Sequence, residues 1–279
     1  MIINDLEYRL ARALKIPYMN IKVKQPRLRD IDDDNVGLLR YSSYQSLFTL
    51  KKEHLNMNEE LIEITKNDSF FVTLFIIDDY YKKQGRKDYI PFSDMLIMSL
   101  IFFLDIKETD EINKNINEKY ISISNEQEQL IFILSNENFE EFSELIRTIC
   151  CCGMAKLETD EPKFKMKHHS DPNIRKMLEE QVKRYAEEER KKEKENEMTI
   201  TDVIGIISIG TNYKLNKDMD DLTIWQLNYI YNGMCIKEGN EFTKMQFCSY
   251  KFTFENVPNF NWLKDTKIKL PKNNKLIIN

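Results

Sequence analysis

Glycine and proline are scarce in this chain, seven of each in 279 residues, and that scarcity removes most of the folds it could otherwise adopt. Tight β-turns draw on glycine for left-handed backbone, and on proline for a pre-set bend. A chain that spaces them so thinly runs in long segments joined by polar loops. Those segments are rich in Lys, Glu, Asn and Ile, a composition that favours helices. The common nucleotide cradles are missing as well: neither GxxxxGK[ST] nor GxGxxG occurs, and there is no GxSxG nucleophile elbow. We expect a mainly helical α+β protein with a small β-hairpin element.

Hydrophobic spacing locates the elements. Leu6, Leu10, Ala13 and Leu14 recur with helical period until Pro17 stops them. Residues 21–24 alternate apolar and polar as a half-buried strand does, and 27–31 read as the first turn of a helix after Pro26. Two helical patterns lie between Asn58 and Tyr81. A buried helix follows from Pro91 to Leu104, with Ser93 and Asp94 as cap candidates. Its apolar run, ten residues from Met95, is half of the roughly 20 a membrane span needs. The segments 120–124 and 130–134 predict a hairpin. Phe139, Phe142, Leu145, Ile146 and Ile149 then form one helical stripe.

Composition shifts after residue 157. We expect a helical N-terminal domain with short strands over 1–157, a charged connector over 158–198, a C-terminal helical bundle over 199–264 and a basic tail over 265–279. In the connector Asp171 is placed as a cap before Pro172, and 187–197 hold six acids and four bases with no apolar residue. The bundle opens on a capping-box pattern, Thr199 with Asp202. A second helix is expected from Asp221 through Met234 and a third over 238–250, with Asp220 and Asp221 complementing a helix dipole.

Site chemistry is thin. The net charge is −5, whereas nucleic-acid modules are usually basic. The opening residues carry Asp5 and Glu7 and do not read as a signal peptide. Cys150, Cys151 and Cys152 are adjacent in an odd total of five, which fits reduced thiols on a buried helix face in a cytoplasmic compartment. A zinc site shared with His168 and His169 is disfavoured, because consecutive helical side chains diverge by about 100°. The acids 32–34 lack the spacing of a calcium loop, and Asp78 with Asp79 are merely adjacent. No catalytic residue, cofactor site or metal site is expected. The remaining candidates are aromatic: Trp225, Tyr229, Tyr231 and Trp262, either core of the bundle or a partner-binding surface. The segment 275–278 could add as a strand to a partner's sheet edge.

Four segments, IKVKQPRLRDI (21–31), SNENFEEFSELI (135–146), SDPNIRKMLEE (170–180) before the charge run, and the pair TITDVIGIIS (199–208) with LTIWQLNYIYNGM (222–234), occur in an order that resembles the tail assembly chaperones and minor tail proteins of phages infecting low-GC Gram-positive bacteria. The resemblance spans roughly residues 20–265 and rests on packing and capping patterns. It implies a non-enzymatic viral protein of the host cytoplasm. Its partners would be tail components, the tape-measure protein or tail-tube subunits, whose exposed apolar surface it would hold until the tail polymerises. Membrane is not among the expected partners. The alternative is a small regulatory or nucleic-acid-binding protein whose C-terminal bundle acts as a helix-turn-helix. Its second helix offers only Gln226, Asn228 and Asn232 to bases, without Arg or Lys, which speaks against nucleic acid.

Overall fold

The computed structural model describes residues 5–32, 35–86, 88–153, 184, 199–214 and 218–248. Among the described residues the chain is α+β, with α1 (Asp5–Ala11), β1 (Ile16–Tyr18), β2 (Ile21–Val23), α2 (Leu38–Thr49), α3 (Glu59–Thr65), α4 (Phe70–Lys83) and α5 (Phe92–Phe103). Then come β3 (Glu111–Asn115), β4 (Tyr120–Ser124), β5 (Leu130–Leu134), α6 (Phe139–Ile149), α7 (Ile200–Gly210) and α8 (Ile224–Cys248). The expected hairpin is β4–β5, paired antiparallel with Ile121 opposite Leu134. β3 adds a third strand against β4.

The stripe on α6 is buried from end to end and packs on α2, which in turn packs on α5. Each fully buried Phe or Leu of that stripe contributes about 1.5–3 kcal/mol of transfer free energy. Around Phe48 of α2 the rings of Phe103 and Phe142 stand edge-on at 5.9 Å and 5.6 Å. From β1, Tyr18 reaches the same cluster, 5.4 Å from Phe142. β2 is joined to the end of α5, where Lys24 N–H donates to the Phe103 carbonyl at 2.6 Å and Asp105 N–H to that of Lys22 at 2.8 Å.

Local chemistry departs from expectation at three places. Residues 28–31 form only a single 3-10 turn. At α5 the capping residue is Pro91, and Ser93 and Asp94 lie inside the helix. The missing cap comes from α4: the buried Asp78 carboxylate accepts from Phe92 N–H (2.7 Å), Ser93 N–H (2.8 Å) and the Tyr89 hydroxyl (2.6 Å). It satisfies the first donors of α5 and places a negative charge at the positive end of its dipole. The cysteines are the third case. α6 stops at Ile149, and Cys151 turns left-handed with φ 53°. Cys152 N–H then donates to Arg147 and Cys151 N–H to Thr148, so the helix closes in a Schellman turn. Of the three adjacent cysteines Cys150 is buried, Cys152 half-buried and Cys151 exposed.

The C-terminal part differs most. The Thr199–Asp202 capping box is present, with Thr199 N–H to Asp202 at 2.9 Å and Asp202 N–H to Thr199 at 3.2 Å. A second one opens α8, where Thr223 and Gln226 exchange bonds of 3.0 Å and 3.1 Å. The expected second and third helices are one continuous helix of 25 residues, which runs through Gly233 and Gly239. Its entry is clasped to the N-terminal part. Leu28 N–H donates to Leu222 (3.1 Å) and Ile224 N–H to Pro26 (3.0 Å). Asp221, expected as a dipole-facing acid, pairs with Arg27 and Arg29 at 3.1 Å and 2.9 Å. Gln226 Nε2 reaches the Ala11 carbonyl at 2.9 Å, where α1 ends. The compact units are Met1–Ala155 with Ile204–Asn279, and Lys156–Val203. The described residues between Ile204 and Cys248, expected in a separate bundle, fall in the same compact unit as the N-terminal body. The connector expectations at Asp171 and over 187–197, and the tail over 265–279, lie outside the described residues.

Candidate interaction surface

α8 carries one apolar row from its docked start into its distal half. Ile224, Leu227, Tyr231, Met234, Phe242 and Met245 fall on one side at spacings of three, four and eight residues, interrupted by Glu238. At the start that row is covered: Ile224 and Leu227 are buried where α8 packs on α1 and α6. Beyond Met234, whose methyl group touches Gly210 at the end of α7, the cover ends. Phe242 is 57% and Met245 64% exposed. Near the end of α7, Ile209 is 89% exposed and Tyr213 is partly so. Lys237, Glu238, Glu241 and Lys244 surround the row with both signs of charge. Such an arrangement offers apolar area within a polar rim, and it offers no acid, base or nucleophile in an enclosed space.

The aromatic candidates do not form one face. Trp225 is buried at 3% exposure and stacks on Tyr229, ring centres 5.1 Å apart and planes 12° apart. Tyr229 is half-exposed on the outer side of that stack. Tyr231 lies roughly 200° round the helix from Tyr229. Its hydroxyl meets the Cys235 thiol one turn on, which raises its pKa. Trp262 and the 275–278 segment lie outside the described residues. Phe242 and Met245 fall in the segment 238–250, expected as a separate third helix; in the continuous α8 both are exposed.

Other candidates resolve into packing roles. Two of the three polar side chains that the helix-turn-helix alternative offers to bases are occupied: Gln226 by its cap and Ala11, and Asn228 by the Ile224 carbonyl at 3.0 Å. His54 Nδ1 accepts from Lys51 N–H at 3.0 Å, closing its own turn. Asp79 pairs with Lys83 one turn away. Burial pushes the Cys150 thiol well above its ordinary range, with the Cys152 thiol adding to it, so the buried sulfur stays protonated. Among the described residues no group of His, Cys, Asp and Glu is placed to hold a metal ion. His168 and His169 lie outside them.

Comparison with family models, with curated proteins and with solved structures returns no match for this chain.

Proposed function

We propose that this chain is a non-enzymatic binding protein of the tail-assembly apparatus of a tailed bacteriophage. In this reading it holds the apolar surface of a tail component, a tape-measure or tail-tube protein, until that component polymerises in the host cytoplasm. The observation that carries the binding role is the row on α8, covered at Ile224 and Leu227 and bare at Phe242 and Met245. An apolar stripe that outruns its own fold is what a partner helix or sheet can cover. The tail apparatus comes from the resemblance of the four sequence segments alone. Among the described residues no helix is long and apolar enough to cross a membrane.

The test is affinity capture of the tagged full-length chain from producing cells, beside the double variant Phe242→Asp/Met245→Asp. Recovery of tape-measure or tail-tube protein with the parent chain, and its loss with the variant, supports the reading. Recovery of nucleic acid would favour the regulatory alternative, which the engaged Gln226 and Asn228 argue against. Unchanged tail-protein recovery with the variant would move the binding surface away from α8.

A further inference from the structure

In a second surface, charge and apolar area converge in one groove. It has a volume of ≈ 440 Å³ and runs between the segment after β2, the start of α2 and the outward side of α5. Its aromatic wall is made by Tyr44 of α2 and Phe102 of α5, ring centres 6.0 Å apart. Met98 and Ile101, one α5 turn apart, stand beside it nearly half exposed, although they belong to a helix whose Leu96, Leu100 and Phe103 are fully buried.

Two cations face this apolar strip. Lys24 is half-buried, and its Nζ donates to the Ile101 carbonyl at 3.2 Å. Burial lowers its pKa, with Asp105 and Asp30 acting in the opposite sense. Arg40 is exposed. Neither Lys24 nor Arg40 belongs to any of the ion pairs among the described residues. The acid lining the groove, Asp30, already accepts the Arg27 N–H at 2.9 Å. A half-buried ammonium without a carboxylate within ion-pair distance is costly, and an incoming carboxylate would relieve that cost.

We infer that this groove docks a short acidic segment of a partner protein, with an apolar side chain on Met98, Ile101 and Phe102 and a neighbouring carboxylate between Lys24 and Arg40. Charge complementarity selects the acidic partner: the lining carries two cations, Lys24 and Arg40, against one acid, Asp30. The inference is independent of the α8 surface, and the two can fail separately.

The probe is a fluorescein-labelled peptide, Glu-Asp-Leu-Phe-Glu-Asp, beside its counterpart with Lys at every acidic position, titrated by anisotropy against the full chain. Saturable binding of the acidic peptide is expected, weakened at least roughly tenfold by Arg40→Glu and by Ile101→Asp. Both positions are exposed, so neither change threatens the fold, and circular dichroism of each variant is the check. Arg40→Glu should also shift preference toward the Lys peptide, a reversal that loss of structure would not produce. Phe242→Asp on α8 should leave the binding as it is. Equal binding of the two peptides, an acidic affinity indifferent to Arg40→Glu and Ile101→Asp, or no saturation below about 1 mM each overturns the inference.

Discussion

α6 and the distal half of α8 both carry apolar side chains at helical spacing, yet they end in opposite environments. On α6 every member of the stripe, from Phe139 to Ile149, is buried against α2 and the sheet. On α8 the stripe begins the same way at Ile224 and Leu227, then continues bare to Phe242 and Met245. Amphipathic spacing therefore says that a helix has a side to cover; the rest of the fold decides whether anything covers it. Where cover runs out, the residues left over are the ones available to another molecule.

Removing matched aromatics breaks the comparison most directly. Phe142→Ala, which empties the centre of a ring cluster, should cost about 3–5 kcal/mol in urea unfolding, while Phe242→Ala should stay within about 0.5 kcal/mol. Similar losses at both positions would mean that the distal half of α8 is packed after all. Asp78 extends the well-covered side of the contrast to α4 and α5. Asp78→Ala orphans the half-buried Phe92 N–H, the buried Ser93 N–H and the Tyr89 hydroxyl and should cost about 3 kcal/mol, with hydrogen exchange rising first at Phe92 and Ser93.

A smaller effect comes with pH. The Cys150 thiol is held above its ordinary value of 9.0 by burial, so the native state keeps a proton that the unfolded chain releases. Stability from this group is complete below pH 9 and is lost as pH rises beyond it, at roughly 1.4 kcal/mol per unit. Cys150→Ala should flatten that alkaline slope, and an unchanged slope would assign it to other groups. The smallest expected change is a gain. Cys151 holds the left-handed position of a Schellman turn, where a side chain is strained, so Cys151→Gly should raise stability by about 0.5–1 kcal/mol.

What could be read from sequence divides along the same physical line. α4, α5 and α6 announce themselves because their apolar residues are dense and periodic, and β4 with β5 because Ile121 and Ile123 alternate with serines. α2 was not anticipated. Its helix formers are diluted by Ser42, Ser43 and Ser46, and the latter two bond back to the main chain at Leu39 and Ser43. Nor was β3, in which Ile112 is the single apolar residue. The second and third helices expected over 221–234 and 238–250 are one, since Gly239 costs an exposed helix only about 1 kcal/mol and the helix continues through it. The bare row at Phe242 and Met245 is not legible in the sequence, whose aromatic density lies at Trp225, Tyr229 and Tyr231 near the start of α8. The burial of Trp225 follows from packing between segments far apart in the chain.

That contact has a consequence during synthesis. Pro26 and Leu28 emerge early, but their backbone partners at Leu222 and Ile224 follow roughly 200 residues later, about 10–40 s behind at bacterial elongation rates of 5–20 residues per second. Until then α1 and the turn after β2 present unpaired main-chain groups and an uncovered side at the ribosome exit. The last step of folding must wait for α8, and until then that side of the nascent body stays open to water.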